Sequence, residues 1–304
     1  MVRGVRQGKK TKWKKYCLDF LCVFPVVAYF LVITYYPIAD LLNTSFTDWN
    51  LLRKEYEYVG LENWKWLVGG KGGYQFLQTL SVTAVYTFGE VIAALAGGMA
   101  LAHLFNKSNR IFNAMRSILV LPKYISVSSI GVVFVWMMND QYGLFNKILT
   151  TAGLSPVRWL TAPEHAIWSV ILVAAWRNVG YAMIIYLSAM KGISQDYYEA
   201  ASLDGAGRFQ LWRYITVPLL APTTLFIFVT TFLGAMNVFQ TVDVMTEGGP
   251  YGTTEVIVYW IYDLAFKDYR VDRAACASIV FFVILMIFTV LTMRWSKCKV
   301  NYDA

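Results

Sequence analysis

Residues 199–218, EAASLDGAGRFQLWRYITVP, are a charged stretch between two strongly apolar runs. The stretch contains Glu199, Asp204, Arg208 and Arg213, and glycines at 205 and 207 divide it. Charged side chains are costly in the hydrocarbon core of a bilayer. The stretch therefore predicts a polar connection between two membrane spans rather than a part of either span.

The remainder of the chain is unusually apolar. Its 304 residues are 57% hydrophobic and 15% charged, with a mean hydropathy of +0.47, whereas soluble domains are about 25% charged. A membrane-spanning helix needs about 20 mostly apolar residues. Six runs meet this requirement: 18–36, 79–104, 118–138, 166–190, 219–239 and 274–293. We therefore predict an all-α membrane protein with about six transmembrane helices.

The distribution of basic residues predicts the orientation of these spans. More than half of the 27 Lys and Arg residues lie in the two tails, in the connection between spans two and three, and in the connection around 199–218. Basic residues are enriched on the cytoplasmic side of membrane proteins. We therefore expect both termini to be cytoplasmic, with a basic tail at 1–15, a transmembrane domain at 16–293 and a second tail at 294–304. The enrichment of basic residues on the predicted cytoplasmic side accounts for the net charge of +8. No nucleic-acid partner is therefore predicted.

Ionisable and polar residues inside the predicted spans are candidates for a solute path. Glu90 and Arg177 could pair with each other or with a partner subunit, or could line a translocation path. Hydrogen-bonding groups near this depth are Asn178, Tyr181, Asn237 and Gln240. Each of these four also suits an interhelical contact, because Asn and Gln frequently join helices in membranes.

The connection itself predicts two short helices. Ser194 is a plausible N-cap, and residues 195–203 follow as a two-turn helix. The glycines then break the helix, residues 208–217 form a second one, and Pro218 marks the start of the fifth span. The first helix is narrow and carries an acid, so it suits a groove on another protein. The alternative is an ordinary helical turn with a solvated face.

Catalytic, nucleotide-binding and metal-binding patterns do not emerge from the sequence. The only histidines, His103 and His165, fall on opposite sides of the predicted membrane. The phosphate-cradling sequence of ATPases is also missing. We therefore expect a non-enzymatic chain that holds no metal and no cofactor of its own.

The charged stretch resembles the EAA loop of binding-protein-dependent ABC importer permeases. The matching residues are Glu199, Ala200, Ala201, Asp204, Gly205, Ala206, Ile215 and Pro218. The segments YPIADLLNTSFTDWN at 36–50, LPKYIS at 121–126 and TEGGP at 246–250 also resemble the family. Trp212 and Val217 replace the usual Phe and Leu, and Glu247 replaces a usual Gly. The likeness is strongest to the carbohydrate-uptake branch that includes the maltose, lactose and glycerol-phosphate systems.

This resemblance implies a type I ABC importer permease in a bacterial or archaeal plasma membrane. Its expected partners are a second permease subunit in a heterodimer, two cytoplasmic ATPase subunits that hold ATP and magnesium, and an extracytoplasmic binding protein that delivers a carbohydrate. The loop at 194–218 would dock in an ATPase groove, where Glu199 would meet an arginine and Gly205 would permit the turn. The alternatives are glycerol phosphate or another polar solute as cargo, and an ion-driven secondary transporter.

Overall fold

The computed structural model describes residues 9–107 and 109–299, with the side chains of 9–15, 17–18 and 295–299 left out. Most of the predicted tails at 1–15 and 294–304 therefore lies outside the described residues. The regular elements of the described chain are helices, together with one isolated antiparallel bridge between Thr47 and Tyr58. An all-α chain is thus confirmed.

The described residues up to Thr151 form six helices. Helix α1 comprises Lys9–Phe30, a π-turn at Leu31–Tyr35 and Tyr36–Thr44. The others are α2 (Glu62–Gly69), α3 (Lys71–Leu104), α4 (Arg110–Tyr124), α5 (Val127–Met137) and α6 (Leu144–Thr151).

The described residues from Pro163 to Lys299 form seven helices. They are α7 (Pro163–Lys191), α8 (Gln195–Leu203), α9 (Arg208–Leu219), α10 (Ala221–Met236), α11 (Gln240–Met245), α12 (Ile257–Tyr262, continued by a π-turn at Asp263–Lys267) and α13 (Val271–Lys299).

Within the part of the chain that the structure describes, four helical segments are long and apolar enough to cross a bilayer: Asp19–Thr44 of α1, α3, α7 and Val271–Arg294 of α13. The pairs α4–α5 and α9–α10 also qualify if each bent pair is one span, which gives up to six. Each predicted apolar run overlaps one of these six units. The bends are the feature that the hydropathy pattern did not predict.

The predicted third span, 118–138, is not one straight helix. Helix α4 ends at Tyr124, the chain turns through 101°, and α5 begins at Val127. Pro122 lies in the last turn of α4, where it removes a backbone donor, and Ile125 is extended. The run is therefore apolar throughout but broken in its middle.

The helix boundary predicted at Pro218 lies two residues farther along the chain, at Leu220. Helix α9 continues through Pro218 to Leu219, and the chain bends by 61° before α10 begins. Pro222 lies in the first turn of α10 and has no N–H to continue the helical ladder back to residue 218. Leu220 at the bend is buried and packs in the same core cluster as Met183 and Tyr186 of α7, so the bend lies inside the helical bundle.

Small residues allow α3 and α7 to pack closely. Ala94, Gly98 and Ala102 recur every four residues along α3, and all three are buried. A Cβ atom on Gly98 would lie 2.6 Å from the Cβ of Ala182 on α7. The backbones therefore approach as the small-residue spacing predicts.

Candidate functional site

The segment 194–218, which we call the coupling segment, has the predicted helix–glycine–helix form. Ser194 is the N-cap of α8, and its hydroxyl accepts a hydrogen bond from the Asp196 N–H at 3.3 Å. The segment then passes through 204–207 and continues as α9. The two predicted short helices are confirmed.

Gly205 allows the chain to reverse after α8. Its φ is +82°, a conformation that residues with a Cβ adopt only at a cost. The Gly205 N–H donates to the Ser202 carbonyl at 3.1 Å, and the Ala206 N–H donates to the Ala201 carbonyl at 3.0 Å. These bonds close the C-terminal end of α8, which explains why a glycine follows Asp204.

The first helix of the coupling segment has no buried residue. Glu199, Ala200 and Asp204 are exposed, and the apolar Leu203 beside them is 89% exposed. Ala201, Ala206 and Ile215 are half-buried and line a shallow concavity with Asp204 and Gly205. The exposed side of α8 therefore combines acidic and apolar side chains that nothing in the described chain covers.

A hydrogen bond between Tyr198 and Thr216 ties the two helices of the coupling segment together. Their hydroxyl oxygens lie 2.9 Å apart, and Thr216 is buried. Neither residue can be recognised from the sequence, because an isolated Tyr–Thr pair at a spacing of 18 has no local pattern. The bond links α8 to the helix that leads to the fifth span.

A second candidate site is a cavity of about 600 Å³ in the middle of the helical bundle, which we call the central cavity. Its walls come from α3, α7, α10, the α4–α5 bend and the start of α11. All six residues predicted for a solute path line it: Glu90, Arg177, Asn178, Tyr181, Asn237 and Gln240. The structure therefore places together side chains that are up to 150 positions apart in the sequence.

Polar contacts on one wall of the central cavity differ from the predicted pair. Glu90, which is 5% exposed, accepts a hydrogen bond from the side-chain amide of Asn178 rather than from Arg177. The amide oxygen of Asn178 in turn accepts from the Lys123 ammonium at 2.6 Å. Arg177 and Asn178 are neighbours about 100° apart around α7, and it is Asn178 that faces Glu90. The suggested Glu90–Arg177 pair is therefore not formed.

Lys123 is the residue of this wall that the sequence analysis did not assign. Its ammonium lies 5.2 Å from the centre of the Tyr181 ring, within the range of a cation–π contact. A lysine inside an apolar run was the available signal. Lys123 lies at the α4–α5 bend, next to Pro122, and its side chain lines the central cavity.

The end of the central cavity next to α11 contains Asn237 and Gln240. The Asn237 side-chain amide donates to the Leu233 carbonyl at 2.8 Å, at the C-terminal end of α10. Asn237 thus caps the C-terminal end of α10. Thr230 and Thr231, on the same helix, add hydroxyl groups to the cavity wall. Among the described residues, no group of three His, Cys, Asp or Glu side chains could hold a metal ion.

Comparisons with known proteins give a consistent result. The family described as "Binding-protein-dependent transport system inner membrane component" matches residues 93–297. The trehalose/maltose transport system permease protein MalF of Thermococcus litoralis is 28% identical over 293 residues, covering 95% of this chain and 97% of that protein. The "Probable ABC transporter permease protein YurN" of Bacillus subtilis is 30% identical over 287 residues, covering 92% of this chain and 96% of that protein.

A solved structure has the same architecture. A chain of a bacterial ABC transporter involved in the import of the acidic polysaccharide alginate superposes with a TM-score of 0.84. The sequence identity is 25%, and the match covers 96% of this chain and 99% of that chain.

The fold and these likenesses define a multi-pass permease subunit of an ABC importer of the sugar-transport type. The chain belongs to the family of binding-protein-dependent transport system inner membrane components.

Proposed function

We propose that this chain is one of two permease subunits that form the membrane path of an ATP-driven carbohydrate importer. The second subunit would complete a heterodimer, two cytoplasmic ATPase subunits would bind and hydrolyse ATP, and an extracytoplasmic binding protein would deliver the saccharide. Both termini and the coupling segment would face the cytoplasm of a bacterium or an archaeon. The permeases for trehalose and maltose and for alginate support a saccharide as the cargo.

The observation that carries this proposal is the geometry of the coupling segment. Helix α8 has no buried residue, and its exposed face presents Glu199 next to the apolar Leu203. An apolar side chain exposed to this extent, with an acid beside it, suits insertion into a groove on a partner protein. Glu199 would pair with an ATPase arginine, and Ala200 and Ala201 would keep the helix narrow.

The test is co-purification and transport with the complete set of partner subunits. Glu199→Ala should reduce recovery of the ATPase with the permease and lower ATP-dependent uptake of saccharide, because a charged contact and its docking position are lost. The matched control is Glu164→Ala. It removes an exposed acid in the first turn of α7, at the end of that helix farthest from the coupling segment. Unchanged ATPase recovery and uptake in Glu199→Ala would contradict the assigned role.

The same preparation separates the proposed importer from an ion-driven secondary transporter. Uptake into proteoliposomes should require ATP, the ATPase subunits and the binding protein, and should persist when ionophores remove sodium and proton gradients. Uptake by this chain alone that is driven by an ion gradient would overturn the proposal.

A further inference from the structure

We propose that the cargo of the central cavity is a saccharide that carries an oxyanionic group, held by Arg177 and Lys123. This inference rests on the proposed function and adds to it the chemical class of the substrate. The observation behind it is an excess of positive charge on the cavity wall. Lys123 and Arg177 line the cavity, and Glu90 is the only carboxylate among the described lining residues.

Neither cation forms an ion pair within the described chain, and Glu90 is the single carboxylate on the wall that can offset their charge. The ion pairs among the described residues join Lys267 to Asp263 and Arg270 to Asp272, and neither pair lies in the cavity. Glu90 is engaged by the Asn178 amide. The wall thus keeps a formal charge of about +1 at neutral pH, which a neutral sugar would leave uncompensated.

Arg177 has an unused donor. Its Nε atom is enclosed and has no hydrogen-bond partner among the described residues. A guanidinium remains charged at all physiological pH values and matches the geometry of carboxylates and phosphates. A sugar hydroxyl can accept from this N–H, but only an oxyanion also compensates the charge in an enclosed site.

Lys123 is held where it can reach the same ligand. The Asn178 amide oxygen occupies one of its three donors, and the Tyr181 ring lies beneath the ammonium. Arg177 and Tyr181 are four residues apart on α7, so both project toward the same side of that helix. An oxyanion between the two cations would therefore leave the rest of the saccharide against the Tyr181 ring.

The remaining wall suits the neutral part of such a ligand. Thr230, Thr231 and Gln240 provide hydroxyl and amide groups, and Tyr181 provides an aromatic face that is 40% exposed. The volume of about 600 Å³ lies within the range of about 300–1,000 Å³ that is usual for small-molecule sites. The site thus has a cationic end and a neutral hydrogen-bonding end.

The substrate test uses the assembled transporter with its binding protein in proteoliposomes. Three labelled probes are compared: oligouronates of two to five units, hexose phosphates, and neutral gluco-oligosaccharides of the same lengths as the oligouronates. Uptake of oligouronates or of hexose phosphates should exceed uptake of neutral probes by about tenfold or more, and the stronger of the two identifies the oxyanion. Uptake of neutral probes alone would overturn the inference and leave the proposed carbohydrate importer intact. Uptake of no saccharide at all would contradict the proposed function and the inference together.

Two variants test the assigned residues. Arg177→Gln should lower uptake of the acidic probe by about tenfold or more, and Arg177→Lys, which keeps the charge, should retain a larger part of it. Arg158→Gln removes an exposed arginine outside the cavity and should leave uptake unchanged. Co-purification with the second permease subunit is measured in parallel. An assembly defect in Arg177→Gln, or an equal loss of acidic and neutral uptake, would indicate that Arg177 pairs with the partner subunit and would overturn the inference.

Discussion

At the residue scale, the backbone of Gly205 decides whether the coupling segment can turn. Its φ of +82° cannot be adopted by proline, whose ring fixes φ near −65°. Nothing lies within 4 Å of the Cβ position, so the constraint is conformational and not steric. Glycine is therefore needed at this position for its backbone conformation. It is not needed to make room for a neighbouring group.

Gly205→Pro should consequently distort the turn after α8 and reduce ATPase recovery and uptake, while the permease still inserts. Gly207 offers a matched control, because its φ is −75° and only the flexible Gln210 side chain approaches its Cβ position. Gly207→Ala should behave like the unchanged protein in membrane insertion, co-purification and transport assays. Equal behaviour of the two variants would contradict a role for the Gly205 conformation.

Asn178 is a second residue whose removal has a predictable cost. It donates to Glu90 and accepts from Lys123, so Asn178→Leu removes one hydrogen-bond partner from the buried Glu90 and one from the half-buried Lys123. The expected loss of stability is about 1–3 kcal/mol, measured as a lower Tm of the purified complex in detergent. The double variant Glu90→Gln/Asn178→Leu should lose less than the sum of the single losses, because the partners are coupled. Additive losses would indicate that the contact contributes little.

At the scale of elements, the crossing of α3 and α7 depends on the absence of a side chain at Gly98. The Cβ position of Gly98 lies 2.6 Å from the Cβ of Ala182, so Gly98→Ala should separate the helices and cost about 1–3 kcal/mol. Gly234→Ala on α10 meets nothing within 4 Å and should instead stabilise its helix by about 0.5–1 kcal/mol. The Tm of thermal unfolding measures both changes. Uptake is not used for this comparison, because Gly234 lines the central cavity and its substitution could alter uptake without altering stability.

The connection between α11 and α12 gives a pH-dependent prediction. Burial, followed by the charges of Asp263 and Asp268, raises the pKa of Glu255 above its usual value. The folded protein therefore binds this proton more tightly than the unfolded chain does, and stability falls as the pH rises through the unfolded and then the folded pKa. Glu255→Gln should make the Tm less dependent on pH over that window. A Tm profile that keeps its full slope would contradict this origin.

The sequence predicts the elements better than their angles. The apolar runs and the helix–glycine–helix pattern locate the spans and the coupling segment, because composition and backbone preference are local properties. The 101° bend between α4 and α5 sets where Lys123 points, and tertiary packing determines it. The choice of Asn178 over Arg177 as the partner of Glu90 depends on the rotation of α7 about its axis. A run of apolar residues without a clear polar face does not fix that rotation.

At the scale of the whole molecule, cysteine labelling tests the predicted orientation in the membrane. Single cysteines are introduced at Ser202 in α8 and at Ser155 in the connection before α7, both exposed positions, after replacement of the four native cysteines. A membrane-impermeant maleimide should label the Ser155→Cys variant in intact cells. The Ser202→Cys variant should be labelled only after permeabilisation. The opposite pattern would reverse the predicted topology.

The bend at Leu220 gives the molecule a lever arm. Leu220 is buried at the point where α9 and α10 meet at 61°, and Thr231 on the cavity wall lies about 17 Å farther along α10, at about 1.5 Å per residue. A tilt of about 10° at this pivot would carry Thr231 sideways by about 3 Å, on the same helical geometry. That displacement is comparable to the length of a hydrogen bond. If a solute binds in the central cavity, a small rotation of the coupling segment would therefore be sufficient to make or break a hydrogen bond between it and Thr231.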